Sequence, residues 1–383
     1  RRVVPRLARG SGAARERDAG GVMSRAVFLA LIASVVAVAG AAPTSRLGAL
    51  RAGNDARLFA QALEPRTFEF PRDHGPHPEF RHEWWYVTGN LDAEGGERFG
   101  FELTFFRYAL APEVKGRSRW RTSQIYFAHF AVTDVGRERF HFAQRYARGA
   151  LGLGGAQAVP LRVGIESWSI AESSDGETWQ LRAGDDDYRL TLDLRATQPP
   201  VLNGDRGLSR KSTDPGAASY YYSIPRLHVR GHVARGLETH AVSGLAWLDR
   251  EWGSGALGRD QEGWDWFALQ LDDGSSLMFY ALRTRGGRDA LSAGTWIAAD
   301  RRTQPLRNED VLIDVLDHWD SPRGGRYPAR WRLRVLSLAL DLDVRPVLAD
   351  QELDTDPRYW EGAVDVKGSR TGRGYVELVG YAR

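Results

Sequence analysis

EWWYVTGNL (83–91), DAEGGE (92–97) and FGFELTFFR (99–107) read together as one unit. Aromatic and β-branched residues alternate with smaller or polar ones in both flanks. The Gly-rich middle is a turn, so the stretch predicts a β-hairpin. The same grammar returns in WDWFALQL (264–271) and SLMFYALR (276–283), again around a glycine turn. Trp84-x-Tyr86-x4-Leu91-Asp92 and Trp264-x-Trp266-x4-Leu271-Asp272 share one spacing, and the hairpins end on Arg107 and Arg283. The offset of 180 residues is about half the chain. This predicts a duplication: two β-units, each opening with an aromatic hairpin.

Further strands are predicted at 124–132, 188–195, 239–249, 311–317, 330–337, 338–344, 362–368 and 375–382, and no segment carries a sustained helical stripe. The chain is therefore mainly β and antiparallel. Units of this size usually close as barrels or sandwiches, which removes exposed edges, and a barrel of eight or more strands leaves room for one apolar ligand. Thirteen Trp, 13 Tyr and 15 Phe supply aromatic surface for a cavity wall, although most should fill cores. Residues 197–219 form a Pro/Gly/Ser-rich stretch, read as a boundary or a functional loop. The expected divisions are 1–41, an upstream extension with a signal peptide; 42–66, a mobile or weakly helical linker; 67–225, an N-terminal domain; and 226–383, a C-terminal domain.

Composition narrows the function. The 383 residues are 42% hydrophobic and 26% charged, which are globular values. There is no cysteine, so disulfides, thiolate metal sites and cysteine nucleophiles are excluded. The net charge of +3 comes from the leader: residues 1–41 hold seven arginines against Glu16 and Asp18, leaving 45 basic and 47 acidic groups elsewhere. Without a basic patch in the folded part, no nucleic-acid partner is expected. From Met23, a basic n-region, the apolar run Ala26–Ala39 and Ala39-Gly40-Ala41 have the form of a cleaved secretory signal, with an uncleaved anchor as the alternative. Secretion to a periplasm is the expected localisation, and it allows peripheral membrane contact.

Several long runs, in order, closely resemble one family. They are FPRDHGPHPEFRHEWWYVTGNL (70–91), YYYSIPRL (220–227), SGLAWLDREWGSGAL (243–257), GWDWFALQLDDG (263–274), YWEGAVDVKG (359–368) and GYVELVGYA (374–382). Over roughly residues 65 to 383 the chain is similar to the AttH/carotenoid 1,2-hydratase (CrtC-like) family, and nearer to its secreted AttH-type branch. That resemblance implies two tandem lipocalin-like (calycin) antiparallel β-barrels packed together. It also implies a hydrophobic, isoprenoid- or lipid-like ligand and association with ABC-transporter components.

Candidate site residues come from four constellations, one of them Tyr220-Tyr221-Tyr222, whose alternation puts Tyr220 and Tyr222 on one face and whose phenols could orient a polar ligand group. In Asp249-Arg250-Glu251, set between Trp247 and Trp252, the charges read as a paired cluster or as a direct chemical centre. In Trp264-Asp265-Trp266 the carboxyl alternates to the face opposite the indoles. Inside an apolar cavity it would stay protonated and deliver a proton to a C=C bond, with aromatic faces stabilising the cation. Asp265 is the first choice of acid and Asp249 the second, with Glu251 and Arg250 beside them. Asp73-His74, His77 and His82-Glu83 have a spacing that a metal would accept, but the prolines around His77 favour hydrogen-bonded imidazoles, and no metal is assigned. Glu83, Trp85, His82, Tyr222, His240, Trp247, Trp252, Trp264 and Trp266 are the expected ligand contacts, and Trp360 and Glu361 are further wall candidates. No nucleotide or serine-hydrolase motif is present, and no cofactor is expected.

Besides a purely structural accessory whose barrels are filled by their own side chains, two functions remain open at this point. One is a secreted lipocalin-like carrier of a hydrophobic small molecule beside an ABC transporter. The other is a cofactor-free carotenoid 1,2-hydratase-like lyase or isomerase that protonates a C=C bond.

Overall fold

The computed structural model describes residues 57–112, 118, 120–255 and 257–382. Among them there is no α-helix, only short 3-10 turns and 24 strands in two antiparallel sheets. The first sheet opens with long strands: β1 (His82–Ala93), β2 (Arg98–Ala109), β3 (Gln124–Asp134) and β4 (Arg139–Arg148). Short ones follow: β5 (Gly154–Gln157), β6 (Arg162–Ile165) and β7 (Trp168–Glu172). Then come β8 (Thr178–Gly184), β9 (Tyr188–Ala196), β10 (Val201–Leu202) and β11 (Leu208–Arg210). The sheet ends with β12 (Ala218–Arg235) and β13 (Glu238–Gly253).

The second sheet begins with β14 (Gln261–Leu271), β15 (Ser276–Thr284), β16 (Gly287–Arg288), β17 (Ala293–Ile297) and β18 (Thr303–Arg307). It continues with β19 (Leu312–Asp320), β20 (Arg326–Val335) and β21 (Leu340–Pro346). It closes with β22 (Glu352–Leu353), β23 (Tyr359–Gly368) and β24 (Gly372–Val379).

Each sheet curls on itself. The first runs β4-β3-β2-β1-β13-β12-β9-β8-β7-β6-β5, with β5 and β6 packed back against β3 and β4. The second runs β18-β17-β15-β14-β24-β23-β21-β20-β19. The result is the two-barrel, lipocalin-like architecture, and both sheets belong to one compact unit.

Alternation along the two leading hairpins builds three apolar clusters rather than two. On β1, Trp85, Val87 and Leu91 point into the first barrel. On β14, Phe267, Leu269 and Leu271 point into the second. The opposite faces meet between the barrels: Trp84 and Tyr86 from β1 with Trp264, Trp266 and Ala268 from β14. The rings of Tyr86 and Trp266 meet edge to face at 5.0 Å. The repeated motif presents the same face to the seam in both halves. Polar ties reinforce the seam. Gln270 Nε2 donates to Pro225 O at 2.7 Å and Ala246 O at 2.9 Å, and Asn90 Nδ2 donates to Gly374 O at 3.1 Å.

Several sequence expectations are corrected here. A domain boundary at 225/226 would cut β12, whose hydrogen bonds to β13 and β9 run past it. The change of sheet falls between Gly253 and Gln261. The 197–219 stretch is not a boundary either, since β10 and β11 pair with β12. Residues 57–66 are not a mobile linker: Phe59 and Ala62 are buried, and Ser254 Oγ donates to Ala60 O at 2.5 Å. Strands β4 to β8 were missed because β4 is largely exposed and most of the others are short, leaving little apolar alternation to read. The signal-peptide reading lies outside the described residues.

The barrels approach closely at Gly100 of β2. A Cβ there would sit 2.7 Å from Ala363 Cβ and 2.6 Å from the Tyr375 hydroxyl of the second barrel. Gly100→Val should therefore destabilise the protein by about 1–3 kcal/mol through overpacking. A urea midpoint equal to wild type would show that the seam is looser than this geometry.

Candidate functional site

The seam encloses a cavity of about 190 Å³. One wall is the outer face of the first barrel, from β1, β2, β3, β12 and β13. The other wall comes from β14, β15, β23 and β24. Register explains which polar groups reach it. Ser223, Asp249, Tyr86, Thr104 and His129 are successive cross-strand partners on five neighbouring strands. Paired residues share a face, so this row lies on the seam side.

Asp249 stands in the cavity wall, held by three neutral donors. It accepts hydrogen bonds from Ser223 Oγ at 2.5 Å, Tyr221 Oη at 2.5 Å and Trp247 Nε1 at 2.7 Å. Ser223 in turn accepts from Asn203 Nδ2, and Tyr221 from Trp266 Nε1, so these donors are oriented from behind. Burial, with the neighbouring Glu251 charge, outweighs the three hydrogen bonds and pushes the carboxyl up to about 7. Glu251 accepts from Ser219 Oγ and pairs with Lys211 Nζ at 3.0 Å. Burial disfavours the Lys211 charge, but Glu251 and Tyr280 more than restore it. On the facing wall Glu377 accepts from Trp264 Nε1 at 2.7 Å, and burial pushes it up to about 8. His82 also lines the cavity. Its ring is stacked between Trp84 and Tyr108, and burial together with Arg81 and Arg107 lowers it to about 4.

The first-choice acid, Asp265, is not in the cavity. Trp264 and Trp266 take the seam face of β14, which turns Asp265 towards the end of the second barrel. There it accepts from Arg283 Nε at 2.9 Å and Tyr381 Oη at 2.9 Å. Burial raises it to about 6 against those partners.

Arg250, Trp85, Trp252 and Tyr222 are also corrected. They share the other parity and lie inside the first barrel. Arg250 donates to Glu83 Oε2 at 2.9 Å, to Trp84 O at 2.7 Å and to Gly75 O at 2.5 Å, and its guanidinium lies 4.0 Å over Trp85. Tyr222 Oη meets His74 Nδ1 at 2.6 Å. Glu83 borders the cavity, but its carboxylate is taken up by Arg107, Arg250 and His77. Burial alone would raise Glu83. Arg107, the His77 hydrogen bond and Arg250 hold it well below the usual carboxylate range. His77 also faces Asp73 at 3.1 Å and stacks on Trp252 at 3.7 Å, so this histidine cluster serves an ion network inside the barrel. His240 lies at the start of β13, 3.2 Å from Glu97, away from the cavity. Trp360 faces the second barrel's core. Trp247, Trp264, Trp266, Asp249, Glu251 and His82 are brought together in the seam.

Sequence reasoning missed Tyr221, Lys211, His129, Tyr359 and Glu377, all in the cavity wall. Tyr221 was within reach: once Asp249 is placed at the seam, its partner Ser223 puts Tyr221, two residues away, on the same face. Nothing local marks Lys211 or Glu377.

The family described as AttH-like matches residues 61–381. The crystal structure of an AttH from Nitrosomonas europaea is similar over 85% of this chain and 100% of that one, at 35% identity and a TM-score of 0.76. Kievitone hydratase from Nectria haematococca shares the fold over 85% of this chain and 98% of its own, with a TM-score of 0.64 at 16% identity. A curated relative, dehydratase asqC of Emericella nidulans, is 24% identical over 221 residues, 53% of this chain. The chain spans 61% of that relative's length.

Asp265, Asp249, Glu102 and Glu377 stand at about 6, 7, 7 and 8 in the folded protein, above the unfolded carboxylate value near 4. These four carboxyls therefore hold more protons in the native state than in the unfolded one between pH ~4 and ~8, and their contribution to stability falls as pH rises through that window. His74, His82 and His129, lowered by burial, act in the opposite sense below the unfolded histidine value near 6.5. Urea midpoints should therefore decline between pH ~6.5 and ~8, and Glu377→Gln should decline less, with its largest advantage over wild type near pH 8 and above. Parallel curves would show that Glu377 titrates normally. Glu83→Gln should behave differently and cost about 3–5 kcal/mol near neutrality, because it strands two buried guanidinium groups. A midpoint shift of under ~1 kcal/mol would contradict the pairing.

Proposed function

The chain belongs to the AttH-like family, and on that premise we propose that it is an acid-catalysed hydratase or dehydratase of an apolar small molecule. The reaction is assigned to the seam cavity, with Asp249 as the acid. One observation carries this reading: Asp249 is a carboxyl in an aromatic cavity, poised to hold a proton near neutrality and fixed by Ser223, Tyr221 and Trp247. A general acid works best with a pKa near the working pH.

For hydration, the Asp249 proton passes to one carbon of a C=C bond and leaves a cation on the other carbon. The faces of Trp84, Trp264 and Trp266 suit that charge. Water adds to the cation and then gives up a proton. Dehydration is the same path reversed: the hydroxyl departs as water with a proton from the group that accepts it in hydration, and Asp249, as the carboxylate, takes the proton from carbon. The hydratase and dehydratase among the similar proteins support this class of chemistry. The carrier reading uses the same cavity but has no need of an acid there, so Asp249 favours turnover. Export through the leader and work beside an ABC transporter remain part of the proposal, as the setting that the leader and the family resemblance suggest.

The test is extraction and mass spectrometry of whatever co-purifies from the native host, followed by turnover of that compound and of isoprenoid alkene/tertiary-alcohol pairs. A gain or loss of water is the expected result, with deuterium placed on carbon in D₂O. Asp249→Asn should lower the rate by about 10²–10⁴-fold, while Asp265→Asn stays within a few-fold of wild type. Undiminished turnover in Asp249→Asn would overturn the assignment. Tight binding with no turnover would return the protein to the carrier reading.

A further inference from the structure

The row that holds Asp249 reaches His129 three strands away. At the usual spacing of paired strands their backbones are about 14 Å apart along the sheet. His129 is fully buried and lines the cavity. Its Nδ1 meets the Tyr359 hydroxyl of the second barrel at 2.9 Å. Its Nε2 has no hydrogen-bond partner among the described residues. Tyr359 Oη donates to Glu102 Oε1 at 3.1 Å, and Thr104 Oγ1 donates to the same oxygen at 2.6 Å. Glu102 is fully buried, with no cation paired to it among the described residues, and its Oε2 is unpartnered there. Buried polar atoms are rarely left so, and two in one hydrogen-bonded chain beside a cavity call for an explanation.

We propose that Glu102, Tyr359 and His129 form a proton relay across the seam, with His129 as the catalytic residue that touches the reacting water. Glu102 and Tyr359 are positioning residues that act through it. This rests on the hydratase reading above. With Glu102 ionised, the Tyr359 hydroxyl points to Glu102, so His129 must donate from Nδ1 and leave its Nε2 bare. In hydration, as the water oxygen bonds to the cationic carbon, its proton passes to Nε2. The Nδ1 proton passes to the Tyr359 oxygen, and the Tyr359 proton to Glu102. The alkene gains H and OH, Asp249 loses one proton and Glu102 gains one, and exchange with solvent restores both.

The imidazole changes tautomer but never becomes a cation. This matters because burial depresses His129 to about 3, too low for it to serve as the final acceptor near neutrality. Burial raises Glu102 to about 7, which suits that task. The other groups facing this corner are the carboxyls of Glu361 and Glu377 and the phenols of Tyr86 and Tyr375, all held towards their neutral forms by burial.

Two measurements on the full chain test the relay. In ¹⁵N-histidine NMR at pH 8, with the resonance assigned by its loss in His129→Gln, His129 should carry its proton on Nδ1. A proton on Nε2 would overturn the relay whatever the enzyme turns over. In turnover assays, Tyr359→Phe and the isosteric Glu102→Gln should each lower kcat by 100-fold or more, leave KM within a few-fold, and erase the acidic limb of the pH profile. If either folded variant keeps that limb, or keeps wild-type kcat, the relay is wrong. Loss of turnover in these variants alongside full turnover in Asp249→Asn would instead fault the assignment of Asp249 and leave the relay standing.

Discussion

The structure depends on strands that are dry on both faces. β1 and β14 each give one face to their own barrel and the other to the seam. An ordinary barrel strand turns its outer residues to water. Here the outer residues of the leading hairpins meet each other, so every polar group among them needs a partner inside the protein. The Trp-x-aromatic repeat is the sequence expression of that constraint. It places Trp84 and Tyr86 with Trp264 and Trp266 in the seam, and the cavity lies among these rings.

Charge is sorted by the same two faces. Inside the barrels, acids have cationic company: Glu83 has Arg107 and Arg250, Asp265 has Arg283, and Glu352 has Arg323. In the seam, Lys211 pairs with Glu251, while Asp249, Glu102, Glu361 and Glu377 are met mainly by hydroxyl and indole donors. Neutral donors hold a carboxylate less firmly than a guanidinium does, and burial then favours the protonated form. Glu83 is thereby held ionised, whereas burial lifts Asp249, Glu102 and Glu377 to about 7, 7 and 8, where both protonation states are within reach near neutrality. That division separates structural from chemical carboxyls more clearly than burial does, since Glu83, Asp249 and Glu102 are all almost wholly buried.

The fold was legible because period-two alternation, Gly turns and the repeated hairpin all point to paired antiparallel units, and the long family motifs agree. The site was legible only in part. Parity says that Asp265 opposes Trp264 and Trp266, and that Arg250 opposes Asp249 and Glu251. It does not say which face is the cavity when both faces are apolar. Choosing the wrong face put Asp265 ahead of Asp249 and Tyr222 ahead of Tyr221. Lys211, His129, Tyr359 and Glu377 come from four distant segments that only the packing of one barrel on the other brings together. No local pattern could have grouped them.

Gly255 and Leu257 belong to the short segment between β13 and β14, and both line the cavity. Connections between domains are usually where related chains drift freely in length. This one is also a piece of the wall. A residue inserted there would change the room available to the ligand as well as the slack between the barrels. Natural variation in this joint should therefore track what each relative accommodates, and divergence in ligand preference could begin at a stretch that looks like a mere tether.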